Sequence, residues 1–204
     1  MAANYELMIK NLLDFYDFGG KTIVCIGAGG GQFIGYGRPA ARIIAIDQDK
    51  RALESLEAAV EKSGMSEKYE FILCDFLATD VSSRGDAALF EFCLHEMADP
   101  AAALRRASNL ADDVVIIDHG LKSEWAYYVV EEEKVRASWQ AAKEFNILRR
   151  IEFADEQKFR NYDELLAKVL PQGDTAVQRI AKFKNKSDIS IPFTYELALI
   201  SFNS

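Results

Sequence analysis

Basic charge, cysteine and long apolar runs are all scarce in this sequence, and each scarcity excludes a class of protein. Lys and Arg number 24 against 32 Asp and Glu, a formal net charge of −8 over 204 residues. A broad basic face for nucleic acid is therefore not expected, because phosphate contacts supply most non-specific affinity. The three cysteines, Cys25, Cys74 and Cys93, are widely spaced and form no CxxC pair. That spacing speaks against a structural zinc site or a disulfide scaffold and makes a reducing cytoplasm the default setting. No apolar run approaches the roughly 20 residues that cross a bilayer, and the opening MAANYELMIK lacks a signal-peptide core. Hydrophobic residues still make up 50% of the chain. At this length roughly 70% of the unfolded surface can be buried, so the fold needs no staple.

The hydrophobic pattern alternates between two periods. Residues 4–18 carry apolar side chains at helical spacing, and Gly19-Gly20 ends the run. Short apolar, β-branched runs follow at 21–26, 42–46, 69–73, 87–92 and 114–117, which read as buried strands. Between them, Asp49 and Asp99-Pro100 are helix-start signals for segments near 50–62 and 100–110. Strict alternation stops near Leu121. Beyond it the pattern predicts a long helix over 122–145 and helices at 162–170 and 175–183. Closing strands are expected at 189–191 and 195–202, with Pro192 favouring an edge position. The expected fold class is α/β: a three-layer α/β/α sandwich around a mostly parallel, seven-stranded, doubly wound sheet. One domain over 1–204 is expected, with an N-terminal helix (1–20), a cofactor-binding core (21–120) and substrate-side helices and closing strands (121–204). Helices within about 155–186 are expected to cap an acceptor pocket.

In an open parallel sheet, ligands bind beyond the carboxyl ends of the strands. The first strand ends in Gly27-Ala28-Gly29-Gly30-Gly31-Gln32, the second in Asp47-Gln48, and the third in Asp75-Phe76. Glycines allow a sharp turn and close backbone approach, Asp47 can accept from two ribose hydroxyls, and Asp75-Phe76 offers an acceptor beside a stacking wall. The ordered set points to an adenosine-type cofactor. A Walker A loop is absent, and the third glycine of a dinucleotide fingerprint would fall on Gln32. No Tyr-x-x-x-Lys pair is present either, which disfavours an NAD-dependent oxidoreductase.

The segments IVCIGAGGG, IIAIDQD, FILCDF, DAALFEFCLHEM and VVIIDH resemble, in that order, the motifs of class I S-adenosylmethionine-dependent methyltransferases, small-molecule branch. The resemblance covers about 21–120 and implies the topology of that family, with an antiparallel C-terminal strand. It implies that the turn Gly27, Ala28, Gly29 and Gly31 wraps the methionine part of S-adenosyl-L-methionine and that Asp47 binds the ribose. Gln48 and Phe76 would flank the adenine, Asp75 would take its amino group, and Glu91 and Phe92 would lie beneath the sulfonium. Three features depart from the family pattern. Cys25 stands where an acid is usual, Cys74 where glycine is commoner, and Gly35, Gly37 and Pro39 interrupt the helix expected after the first strand.

The two histidines, His95 and His119, both follow strands on the ligand side and are candidates for moving a proton. The bland alternative for His95 is a loop hydrogen bond. Glu91 could orient the acceptor or face the sulfonium charge; the alternative is a buried carboxylate paired with an arginine. A metal set drawn from Glu91, His95, Glu96, Asp118 and His119 matches no helix-borne ligand spacing, so no metal is expected. The cysteines read as small core residues, and the run 131–134 reads as a solvated helix face. Aromatics such as Phe33, Tyr36, Trp125, Tyr128 and Phe159 could line an apolar acceptor pocket or simply pack. The function expected is methyl transfer to a small-molecule acceptor, with no nucleic-acid or membrane partner. The rival to that enzyme is an inactive cofactor-binding module of the same fold.

Overall fold

A computed structural model of the chain describes residues 4–202. Its strands are β1 (Thr22–Ile26), β2 (Arg42–Asp47), β3 (Tyr69–Leu73), β4 (Ala87–Glu91), β5 (Asp113–His119), β6 (Ile147–Asn161) and β7 (Ser187–Ser201). They form one seven-stranded sheet in the order β3-β2-β1-β4-β5-β7-β6. Strands β1 to β5 run parallel to one another, and β7 is antiparallel to both β5 and β6. Because β1 has β2 on one side and β4 on the other, strand order reverses there, and the crevice opens at that point.

Alternation along each strand builds two cores. Ile23 and Cys25 of β1 face the layer holding α1 (Tyr5–Phe15) and α2 (Lys50–Lys62), while Val24 and Ile26 face the layer holding α3 (Pro100–Ala107). Both sheet faces are therefore covered, and the strands read as continuous apolar runs. Met8, Leu12 and Phe15 lie on one face of α1 and are buried, and Asn11 on that helix donates to the Tyr195 hydroxyl at 2.7 Å. The helix between β1 and β2 is reduced to a single 3-10 turn, Ile34–Gly37. No helix among the described residues is long and apolar enough to cross a membrane.

Helix α3 begins at an N-cap: Asp99 Oδ1 accepts from the Ala102 N–H at 2.9 Å, with Pro100 at the first helical position. Asp99→Ala is expected to cost about 1 kcal/mol, or roughly 2–4 °C in melting temperature at this size. A thermal melt checks it, and the cofactor-induced shift described below should be unchanged.

Four expectations beyond β5 are corrected. The stretch 122–145 is not one helix but α4 (Glu124–Tyr128) and α5 (Glu132–Ala142), broken where Val130 takes a left-handed backbone (φ 62°). Residues 147–161 form the long strand β6, so the expected helical insertion is strand up to Asn161. Helices α6 (Tyr162–Val169) and α7 (Asp174–Arg179) follow it. The closing strand runs unbroken through Pro192, and the sheet edge is β6 rather than β7. Proline is tolerated because β5 ends at His119, opposite Tyr195. At Pro192 one side of β7 has no partner strand, and a missing N–H costs nothing there.

Candidate cofactor and acceptor site

Two cavities open at the carboxyl ends of the parallel strands. The outer one, about 410 Å³, is lined by Gly27, Gly29, Asp47, Gln48, Cys74, Asp75, Phe76, Glu91 and Phe92, with Cys93, Glu96 and Met97 on the far wall. The inner one, about 270 Å³, is lined by Tyr5, Met8, Phe33, Phe92, Trp125 and Phe193, with Gln32, Glu91, His119, Gln157 and Lys168 as polar groups. Gly29, Glu91 and Phe92 belong to both linings. These sizes lie at or just below the range of small-molecule sites.

The outer cavity is built by its turns. Gly27 has φ 64°, and a side chain there would strike Cys93, whose Cβ lies 2.5 Å from the ideal Cβ position. Glycine is thus required both for the turn and for the close approach of the loop after β4. Gly27 and Ala28 spend their N–H groups on the Ile46 carbonyl, at 2.9 and 3.1 Å. Asp47 Oδ2 accepts from the Gly29 N–H and Oδ1 from the Asp49 N–H, both at 2.9 Å. Each carboxylate oxygen keeps a lone pair for a further donor. Asp75 Oδ1 accepts from Leu77 at 2.8 Å and Ala78 at 3.3 Å. Phe76 is held edge-on against Phe90, with the Arg106 guanidinium over its ring.

Of the residues expected to hold the cofactor, Gly27, Gly29, Asp47, Gln48, Asp75, Phe76 and Phe92 come together in the outer cavity. Ala28 and Gly31 do not line it. The Ala28 side chain is buried, and Gly31 (φ 90°) packs on α2, where an added Cβ would sit 2.8 Å from Ala59 Cβ. The vicinal acceptors at Asp47, the glycine cradle and the Asp75–Phe76 wall fit an adenosyl cofactor.

Glu91 ends β4 between the two cavities, and among the described residues no arginine or lysine pairs with it. The Cys25 thiol lies beside it, with Sγ 3.9 Å from Oε2. Burial, with the Asp47 charge adding to it, pushes the Glu91 carboxyl well above the usual carboxylate range. Cys25 is fully buried, and burial pushes its thiol up. Glu91 thus places a carboxyl beside Cys25, on the strand next to β1. Phe92, the next residue, is left-handed (φ 49°), a strained setting for a bulky side chain.

The two histidines are drawn together by Asp118 at the end of β5. Its Oδ1 contacts His95 Nδ1 at 2.5 Å and accepts from the His119 N–H at 2.8 Å, and Oδ2 accepts from the His95 N–H at 3.0 Å. Burial works against the charged form of His95, but the Asp118 carboxylate outweighs it, and the net shift is up to about 10. Burial lowers His119 to about 4, and its Nδ1 is buried with no hydrogen-bond partner among the described residues. Glu131, expected on a solvated face, is only 7% exposed. It stands just before α5, turned inward after the left-handed Val130, with its N–H on the Ala126 carbonyl at 2.8 Å. Burial raises its carboxyl to about 7. Hydrogen bonding from His95 holds Glu96 near 2.

Sequence reasoning missed Glu131, Tyr5, Gln157, Lys168 and Phe193. Tyr5 comes from the N-terminal helix, and Gln157 and Phe193 come from the antiparallel pair β6 and β7. Only the tertiary fold brings these segments to the cavity. Of the aromatics expected in an acceptor pocket, Phe33 and Trp125 line the inner cavity. Tyr36 is buried in the core, and Tyr128 and Phe159 pack against Phe183 and Trp125.

Residues 24–113 match a family described as methyltransferase domain. The sequence has no significant match among curated proteins. Among solved structures, the chain is similar to a candidate methyltransferase from Bacillus halodurans, with TM-score 0.72, 12% identity, and 96% of this chain and 99% of that one covered. The YcgJ protein of Bacillus subtilis aligns with TM-score 0.68, 15% identity and 98% of each chain covered. A SAM-dependent methyltransferase from Aquifex aeolicus aligns with TM-score 0.61, 15% identity, and 98% and 90% covered. At such identities the likeness is one of fold. The matched domain, the strand order and the residues at the strand ends agree: residues 24–113 are a methyltransferase domain, the chain as a whole has the fold of those structures, and the cofactor this implies is S-adenosylmethionine.

Proposed function

We propose that this chain methylates a small, largely apolar acceptor that sits in the inner cavity and carries one hydrogen-bonding heteroatom. The observation that carries the reading is the shared wall of Gly29, Glu91 and Phe92 between the outer and inner cavities. A ligand on either side of that wall is within reach of the other. Bound in the outer cavity, the cofactor supplies an electrophilic methyl carbon on a positively charged sulfur.

The chain's own residues do the positioning. Gly27, Gly29, Asp47, Gln48, Asp75 and Phe76 fix the cofactor. Tyr5, Phe33, Trp125 and Phe193 clasp the apolar body of the acceptor and exclude water. His119, Gln157 and Gln32 supply the polar contacts that turn its heteroatom toward Phe92 and Glu91. An acceptor that must lose a proton on methylation would give it up to water, with His119, Gln157 and Gln32 holding its heteroatom in place. Glu91 would face the positive charge of the bound cofactor, and His95 with Asp118 holds the loop that follows β4. A volume of about 270 Å³ suits a small molecule, and the acidic net charge opposes RNA.

The test uses the purified chain with S-adenosylmethionine labelled on the methyl group and cell extract separated into small-molecule, RNA and protein fractions. Label is expected in the small-molecule fraction only. Label in RNA or protein would overturn the acceptor class. Cofactor binding without label transfer in any fraction would make the chain a binding module. Trp125→Ala and Phe193→Ala are expected to raise KM for the acceptor about 10-fold or more, since each deletes an aromatic wall, while leaving cofactor affinity intact.

A further inference from the structure

Three buried side chains from separate segments aim their polar ends at one point beside the inner cavity. His95 Nε2 lies 3.6 Å from Glu131 Oε2, and His119 Nε2 lies 3.6 Å from the same oxygen. The three ligand atoms all lie within 4.8 Å of one another. Those gaps are too wide for hydrogen bonds. They suit ligands of one ion instead: donors about 2.1 Å from a metal at a tetrahedral angle stand about 3.4 Å apart. The side chains are 3%, 11% and 9% exposed.

We propose that His95, His119 and Glu131 form a binding site for a single divalent first-row transition-metal ion. Two imidazoles and one carboxylate are a donor set of zinc and non-haem iron sites, and magnesium or calcium would call for more oxygens. A second shell is already in place. Asp118 holds His95 Nδ1 at 2.5 Å, which turns Nε2 toward the other two ligands, the carboxylate–histidine arrangement typical of metal centres. Glu96, with Oε1 3.4 Å from His95 Nε2 and Oε2 bonded to Lys134 at 2.7 Å, adds negative charge at the rim. Without a cation, Nε2 of His95 faces two carboxylates, so the rival occupant is a proton on that nitrogen. His119 also lines the inner cavity, so an ion would supply a Lewis acid beside the acceptor. That use rests on the methyl-transfer reading; the binding of the ion does not.

The probe is cobalt(II), added to the metal-stripped full chain and followed by its visible absorption, with zinc(II) as competitor. One cobalt per chain is expected, displaced by zinc. Glu131→Gln and His119→Ala should each weaken binding at least 100-fold, and Asp118→Asn, which alters only the second shell, 10–100-fold. Glu131→Gln is nearly isosteric and keeps the fold. In every variant the thermal shift given by S-adenosylhomocysteine should persist. No cobalt binding by the wild type, or binding that the Glu131→Gln chain retains in full, overturns the site. Loss of the S-adenosylhomocysteine shift in the wild type would overturn the cofactor placement instead, whatever cobalt does.

Discussion

Asp47→Ala is expected to erase the thermal stabilisation that S-adenosylhomocysteine gives the wild-type chain. In the folded protein each carboxylate oxygen of Asp47 already holds one backbone N–H, from Gly29 and from Asp49. Those two bonds fix the carboxylate at the end of β2 and aim its remaining lone pairs into the outer cavity, where a ribose diol can donate to both. Hydrogen bonds to a charged group contribute about 1.5–3 kcal/mol each, so losing the pair should weaken binding by roughly 100-fold or more. With ligand at about a hundred times its Kd, the wild type gains about 2.7 kcal/mol, or roughly 5–10 °C for a chain of this size. A 100-fold weaker variant gains only about 0.4 kcal/mol under the same conditions, a shift of about 1 °C.

The ligand-free variant will also melt lower, because Gly29 and Asp49 lose their acceptor. The quantity to read is therefore the shift on adding ligand, not the melting temperature. Asp47→Asn supplies the control. Its amide keeps one acceptor oxygen, so it should fall between wild type and alanine. An Asp47→Ala chain that keeps the full shift would remove the ribose-binding role and move the cofactor elsewhere in the crevice.

The core of this fold was legible because its strands are buried on both faces. Runs such as Ile23–Ile26 and Ile43–Ile46 are nearly continuous in β-branched residues, and each stops at a glycine or an acid that the turn needs. The outer cavity followed from the same logic, since its residues are the ones just past those strands. Strand β6 was not legible. Arg149, Arg150, Glu152, Glu156 and Arg160 lie along it, and most of its residues are exposed or partly exposed. Charge is how an edge strand avoids further pairing, and charge also hides it from a reading based on apolar runs. Glu131 was hidden for another reason. Nothing in a run of three glutamates says which one turns inward; the left-handed backbone at Val130 decides it, and that conformation is not written in a valine. Likewise, the meeting of His95 with His119 depends on Asp118 gripping both segments, a contact between β5 and the loop after β4. The glycine turn is legible as a turn, but which of its glycines line the cavity is not. Gly31 serves its packing against α2, a constraint that has the same sequence signature.

Glu91→Gln should separate the cofactor from its product by charge alone. Glu91 is a carboxyl with no cationic partner among the described residues, and burial raises its pKa well above 4.5. A group whose folded pKa is raised binds protons more readily when folded. Its stabilising contribution is full below the unfolded value and is lost as pH rises through the folded value. The cofactor-free wild type should therefore lose stability relative to Glu91→Gln as pH climbs above the ordinary carboxylate range, by up to about 1.4 kcal/mol per pH unit until the folded pKa is passed. Urea unfolding at a series of pH values checks this, and a constant difference between the two chains would show that Glu91 is already ionised and paired. A sulfonium beside Glu91 reverses the balance, because a positive neighbour favours the carboxylate. S-adenosylmethionine carries that charge on sulfur, and S-adenosylhomocysteine does not. Glu91→Gln is accordingly expected to weaken S-adenosylmethionine binding about 10–100-fold while changing S-adenosylhomocysteine binding by less than about 3-fold, measured by calorimetry near neutral pH. Equal losses for both ligands would assign Glu91 to the shape of the cavity instead of to its charge. Selective loss of the charged ligand would mean that the acid absent at Cys25 has been replaced, one strand over, by a carboxylate facing the reacting centre.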